Sequence, residues 1–134
     1  MNRRKTREIA MKLLFEMSIS KDNYMETINN FKENTDTKID DVDFEYLIRM
    51  LKTVEENKEK IDEIISKNLV KWTIERISKI NLAILRLATA EILFEEDIPE
   101  KVSMNEGIEL SKKYGEDNSS AFINGVLNSI IKNI

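Results

Sequence analysis

From Ile80 to Phe94 the chain is apolar around nearly the whole circumference of a helix. Ile80, Leu82, Ala83, Ile84, Leu85, Leu87, Ala88, Ala90, Ile92, Leu93 and Phe94 follow no single stripe. A helix with that pattern is buried on most sides. Asn81, Arg86 and Glu91 interrupt it, and it is too short to span a bilayer. The rest of the chain must then supply amphipathic helices that wrap a central one.

The flanking sequence has that character. Ile9, Ala10, Leu13, Leu14 and Met17 predict one face of a first helix over 3–18, with Arg4, Glu8, Met11 and Phe15 on the outer side. Phe15 is expected to be at least partly exposed unless a neighbouring helix covers it. Tyr24, Ile28 and Phe31 predict a short helix over 24–32, followed by a polar connection over 33–40. Phe44, Leu47, Ile48, Leu51 and Val54 form the inner face of a third helix, capped by Asp40 or Asp41. A break at Asn57 precedes a fourth helix with Ile61, Ile64, Ile65 and Leu69. Trp72 and Ile74 lead through a short helical turn into the central helix. Pro99 ends that helix and opens a sixth over 100–114, packed through Val102, Met104, Ile108, Leu110 and Ser111 and closed by Gly115. Asn118 or Ser119 caps the last helix, which carries Phe122, Ile123, Val126, Leu127, Ile130 and Ile131. The expected fold is all-α: a single domain over 1–134, a bundle of about seven helices around a buried central one. With only three glycines and one proline in 134 residues, long helices are favoured over a turn-rich β architecture.

Gly125 stands inside the last helix at a cost of about 1 kcal/mol relative to alanine. Close approach of the central helix, at Ala83, Ala88 and Ala90, is the expected compensation. Asn124 beside it is then expected to be packed and in need of hydrogen-bond partners.

The chain has no Cys and no His, so disulfides and the usual nucleophile–base pairs are excluded, and a structural zinc site lacks its preferred ligands. The three glycines are too far apart for a phosphate-binding loop. Glu106 and Glu109 lie three apart and could serve as an acid pair, but a solvated helix face is the ordinary reading. No cofactor, metal or membrane partner is expected, and a cysteine-free chain whose basic start lacks a signal-peptide core fits the cytoplasm. The net charge of −4 conceals an uneven distribution. Arg3, Arg4, Lys5 and Arg7 crowd the start, while acids collect between Asp40 and Glu63. One basic end on an acidic body suits a polyanion, although such a run can also be a solvated helix end.

The run Arg3-Arg4-Lys5-Thr6-Arg7-Glu8 with Ala10 and Leu14-Phe15 resembles the start of the NusB family of bacterial transcription antitermination factors. Ile84-Leu85-Arg86-Leu87-Ala88 with Glu91, then Ile98-Pro99, Val102, Asn105-Glu106, Glu109-Leu110, Lys112 and Phe122-Ile123-Asn124-Gly125-Val126-Leu127, is similar to the remainder of its pattern, in order. The resemblance is weakest over 18–69. It implies an all-helical protein that binds the boxA element of ribosomal RNA leader transcripts as a single strand. It also implies a small-subunit ribosomal protein, NusE, as partner, and an RNA polymerase antitermination complex as destination. By match, Arg3, Arg4, Lys5 and Arg7 become phosphate contacts, Phe15 and Phe122 base contacts, and Asn118 and Ser119 hydrogen-bonding groups for the bases. Asn118 replaces a frequent acid of the family and Ala121 a frequent lysine, changes with opposite expected effects on RNA. The protein partner is expected near Glu75 and Asn81, and a homodimer is left open. The competing readings are a helical protein-interaction module without RNA, and an accessory domain like the N-terminal part of ribosomal RNA cytosine methyltransferases.

Overall fold

The computed structural model describes residues 1–36 and 38–134. Seven α-helices are present among them: α1 (Arg3–Ser20), α2 (Tyr24–Asn34), α3 (Phe44–Glu56), α4 (Lys58–Lys67), α5 (Lys79–Phe94), α6 (Glu100–Tyr114) and α7 (Ser119–Asn133). A 3-10 turn, Ile74–Arg76, precedes α5. The expected polar connection over 33–40 includes Thr37, which lies outside the described residues; Glu33 and Asn34 belong to α2.

The central helix is α5. It packs against α1, α3, α4, α6 and α7, while α2 lies against α1 and α3. Ala83, Ile84, Leu85, Leu87, Ala88 and Ala90 are all buried, so every side of its middle turns meets protein. Ser78 starts it by accepting the Asn81 N–H at 3.1 Å. Among the described residues no helix is long and apolar enough to cross a membrane.

Several expected faces are corrected. Met11, assigned to the outer side of α1, is fully buried, whereas Phe15 is half-buried. The cap of α3 is Asp43, which accepts the Tyr46 N–H at 3.1 Å, and not Asp40 or Asp41. The inner face of α6 is Ser103, Gly107, Leu110 and Ser111, while Val102 is exposed. The small residues at 103, 107 and 111 recur every fourth position, one helical ridge, and allow α6 to lie close on its neighbours. A Cβ at Gly107 would stand 3.1 Å from Leu127 Cδ1, 3.6 Å from Ala88 Cβ and 3.7 Å from Ile84 Cγ2. The close-approach glycine is therefore Gly107, wedged against both α5 and α7. At Gly125 an added Cβ would meet nothing within 4 Å, and Asn124 is exposed. Both were expected to be packed; both lie on the outer side of α7.

Gly115 ends α6 with φ −88°, so no left-handed turn is involved. Its need for glycine is spatial: a Cβ would lie 2.7 Å from the Ser111 carbonyl oxygen and 2.5 Å from Ser119 Cβ. This tight passage brings the end of α6 directly onto the start of α7.

Candidate nucleic-acid interface

The basic segment forms the first turns of α1, where Asn2 accepts the Lys5 N–H at 2.9 Å. Each of its four cations faces an acid from another element. Arg3 meets Asp43 at 2.9 Å and lies over the Tyr46 ring at 4.4 Å. Lys5 reaches Asp41 at 2.7 Å and the Lys38 carbonyl at 2.8 Å. Arg4 donates two hydrogen bonds to Glu106, at 3.2 and 2.9 Å, yet its side chain is 75% exposed. Arg7 is different: it is buried and bonded to Glu91. The expectation that all four face a ligand is corrected for Arg7, whose guanidinium is part of the interior.

Glu91 is the acceptor for a buried cluster. Besides Arg7 it accepts hydrogen bonds from the hydroxyls of Tyr46 and of Ser103, the latter at 2.9 Å. Burial disfavours the Arg7 cation, but the hydrogen bonds and charge of Glu91 outweigh that and raise its pKa above the ordinary arginine value. Burial, then the charge of Glu91, pushes the Tyr46 phenol up as well. The cluster joins α1, α3, α5 and α6 and fixes where the basic turn sits.

Glu106 is held by Arg4 and by Arg7 at 3.6 Å, and Glu109 pairs with Lys112 at 3.8 Å. The two carboxylates thus serve separate ion pairs. Further along the same face of α1, Glu8 accepts from Lys113 at 3.0 Å and from the Tyr114 hydroxyl. Lys12 and Lys113 stay more than half exposed. Arg4, Lys12 and Lys113 therefore supply accessible positive charge across the seam between α1 and the last turns of α6. Phe15 lies on the same side of α1, one turn beyond Lys12, and packs part of its ring against the core.

Only three residues separate Tyr114 from Asn118, and this short crossing leads from the seam to a cleft of about 800 Å3. One side of the cleft is Trp72, Arg76, Ile77, Ser78 and Asn81; the other is Glu116, Asp117, Asn118, Ser119 and Phe122. Asn118 occupies the cap position of α7 but its side chain makes no capping hydrogen bond and is exposed. Ser119 instead closes the crossing, its hydroxyl accepting the Glu116 N–H at 3.0 Å. Phe122 is half-buried against the core.

Asn118, Ser119 and Phe122 thus come together, and Asn81, expected on a separate partner face, joins them. Glu75 is exposed in the 3-10 turn beside the cleft without lining it. Arg3, Arg4, Lys5 and Phe15 belong to the α1 side. Reading the sequence missed Trp72 and Arg76. Trp72 was assigned to the lead-in of a buried helix, but it is 53% exposed. The available signal was its setting: the chain's only tryptophan stands between Lys71 and Thr73, outside any apolar period.

Residues 4–132 match the model of the NusB family. The transcription antitermination protein NusB of Clostridium novyi (strain NT) is 60% identical over 132 residues, covering 98% of this chain and 99% of that protein. Its counterpart in Clostridium perfringens (strain SM101 / Type A) is 53% identical over 134 residues, covering 100% and 99%. Among solved structures, T. maritima NusB superposes with a TM-score of 0.85 at 37% identity, covering 99% of this chain and 92% of that one. A crystal structure of the antitermination factors NusB and NusE in complex with dsRNA gives a TM-score of 0.83 at 28% identity, with 98% and 97% covered.

Proposed function

The chain belongs to the NusB family, and from that premise we propose how it works: it binds boxA-type RNA of ribosomal leader transcripts together with a NusE-type small-subunit ribosomal protein. It is a transcription antitermination factor, not an enzyme. Its place of action is the cytoplasm, within an RNA polymerase antitermination complex.

The observation that supports this best is the continuity of the accessible cations of α1 and α6 with the cleft at the start of α7. Phosphates are attracted along the seam by Arg4, Lys12 and Lys113, with Arg3 and Lys5 at its start. The bases then pass the crossing toward Asn118, Ser119 and Phe122. Ring faces and base edges can be read this way only in unpaired RNA. Stacking on one aromatic contributes about 1–3 kcal/mol per base. A footprint this small binds weakly alone, and a protein partner that adds contacts, with Glu75 at the edge of the cleft as one candidate, accounts for a two-protein assembly.

The second reading, a protein-interaction module without RNA, draws on the acids that already face each cation of the basic turn. The two readings separate in a binding assay with a fluorescent boxA-type RNA, with and without the ribosomal partner. Replacing Arg4 and Lys5 by alanine should weaken RNA binding and leave the partner bound; RNA binding unaffected by both changes refutes the seam. The relatives, named as antitermination proteins over 99% of their length, favour this function over a methyltransferase accessory role.

A further inference from the structure

Trp72 does not belong to the packed core. It is the largest side chain in the protein, 53% exposed, and it sits at the rim of a cleft whose other side carries Phe122. Two aromatic groups around one open cleft form a surface for a flat ring. The charged groups of the lining decide what kind of ring. Arg76 is the one cation among the lining residues, against the carboxylates of Glu116 and Asp117. A phosphate inside would meet more repulsion than attraction, so the polyanion backbone stays outside. The interior favours a neutral group that donates hydrogen bonds.

Asn81 points to the same chemistry. Its backbone N–H is taken by the Ser78 hydroxyl, and its side-chain oxygen is shut off from water with no donor in reach. Buried acceptors are normally satisfied. Asn81 lines the cleft, and a half-turn of its amide, which exchanges the oxygen and amino ends, is the step by which a ligand's amino group would satisfy this oxygen. Adenine and cytosine present an exocyclic amino group on their pairing edge; uracil presents a carbonyl oxygen at the corresponding place.

Building on the RNA-binding reading above, we propose that the cleft between the 3-10 turn and the start of α7 receives one unpaired, amino-bearing nucleobase, with Trp72 as a stacking wall and Asn81 as an acceptor for its amino group. The cleft then sets base preference, while the cations of the seam set affinity for any strand.

The single tryptophan makes the test direct, since all tryptophan fluorescence of the protein reports on the cleft. Hexanucleotides of adenylate, cytidylate or uridylate, each with a terminal dye, are titrated into the full chain. Anisotropy of the dye reads total binding and tryptophan emission reads the cleft. The expected result is quenching by the adenine and cytosine strands, which bind about tenfold tighter than the uracil strand. Trp72→Ala should remove about that tenfold, Trp72→Phe should restore most of it, and Asn81→Ala should narrow the gap between cytosine and uracil. Equal quenching and affinity for all three strands overturns the amino preference. Strand binding by anisotropy with unmoved tryptophan emission and an unaffected Trp72→Ala overturns the base cleft and leaves the RNA-binding seam standing. Quenching by the ribosomal protein alone, unchanged when strands are added, assigns the cleft to that protein and overturns the proposal. Absence of strand binding by either readout, with the ribosomal partner present as well as without it, overturns the RNA reading and the cleft together.

Discussion

The Arg7 guanidinium and the Glu91 carboxylate meet inside the protein through two hydrogen bonds of 2.8 and 3.1 Å, although they stand 84 positions apart in the chain. Their side chains are 8% and 1% exposed. Removing one partner of such a pair leaves an uncompensated charge in the interior and costs about 3–5 kcal/mol. Glu91→Ala should therefore lower stability by about that much in urea unfolding, because it also deprives the Tyr46 and Ser103 hydroxyls of their acceptor. Arg4→Ala removes a side chain that is 75% exposed and leaves its acceptor Glu106 with Arg7 at 3.6 Å, so it should change stability by no more than about 1 kcal/mol. Comparable losses for the two would mean that burial does not distinguish these neighbouring arginines.

The same burial alters the expected salt dependence. Four phosphate contacts on a single strand predict a log–log slope near −3, from about −0.7 per contact. With Arg7 withdrawn, the basic turn offers three cations, and its contribution falls to about −2. Arg4→Ala should flatten the slope by a further ~0.7. Arg7→Ala should weaken RNA binding only as far as it destabilises the fold, so a slope that flattens in the folded Arg7 variant would return that residue to the RNA surface. Anisotropy titrations across a salt series measure all three.

These two arginines also show what a sequence conveys. A run of cations is visible locally, but the acids that claim them lie just before α3 and on α5 and α6, and only the fold brings them near. The central helix was legible because burial on all sides leaves its mark in one continuous segment. The packing face of α6 was not. There the contact is made by Ser103, Gly107 and Ser111, whose small size permits close approach, while hydrophobicity drew attention to Val102, which is exposed. Gly125 and Gly107 were exchanged for the same reason: both are helical glycines, and the distance to a neighbouring helix is not a local property. Asn118, Ser119 and Phe122 could be named together from a family pattern. Trp72 was passed over, because an aromatic residue ahead of an apolar helix reads as core.

Acid should weaken two of the attachments of α1, those through Glu8 and Asp43. Burial pushes the Glu8 carboxyl up, but hydrogen bonds from Tyr114 and Lys113 outweigh it and hold its pKa below the ordinary value. Burial likewise raises Asp43, and the Tyr46 N–H and Arg3 outweigh it in the same way. A carboxyl with a depressed folded pKa adds stability that is complete above its unfolded pKa, near 4, and is lost as pH falls through the folded value. Urea midpoints should thus be insensitive to these groups between about pH 7 and 5 and fall below about pH 4. Glu8→Gln and Asp43→Asn should each start weaker at pH 7 and fall less steeply, with asparagine still able to cap α3. Curves parallel to the parent from pH 5 to 3 would show that neither carboxyl carries this dependence.

The two helical glycines should respond differently to alanine. At Gly125 the new methyl group meets open space, so the gain is that of helix propensity alone, about 1 kcal/mol at most. At Gly107 the propensity gain is the same in kind, but the methyl carbon arrives 3.1 Å from Leu127 Cδ1. Leu127 is fully buried and must give by a few tenths of an ångström, and overpacking of a tight core costs about 1–3 kcal/mol. Gly125→Ala should raise the urea midpoint and Gly107→Ala should lower it or leave it unchanged. The reverse order would place the close contact between helices at 125 and undo the account of how α6 sits between α5 and α7.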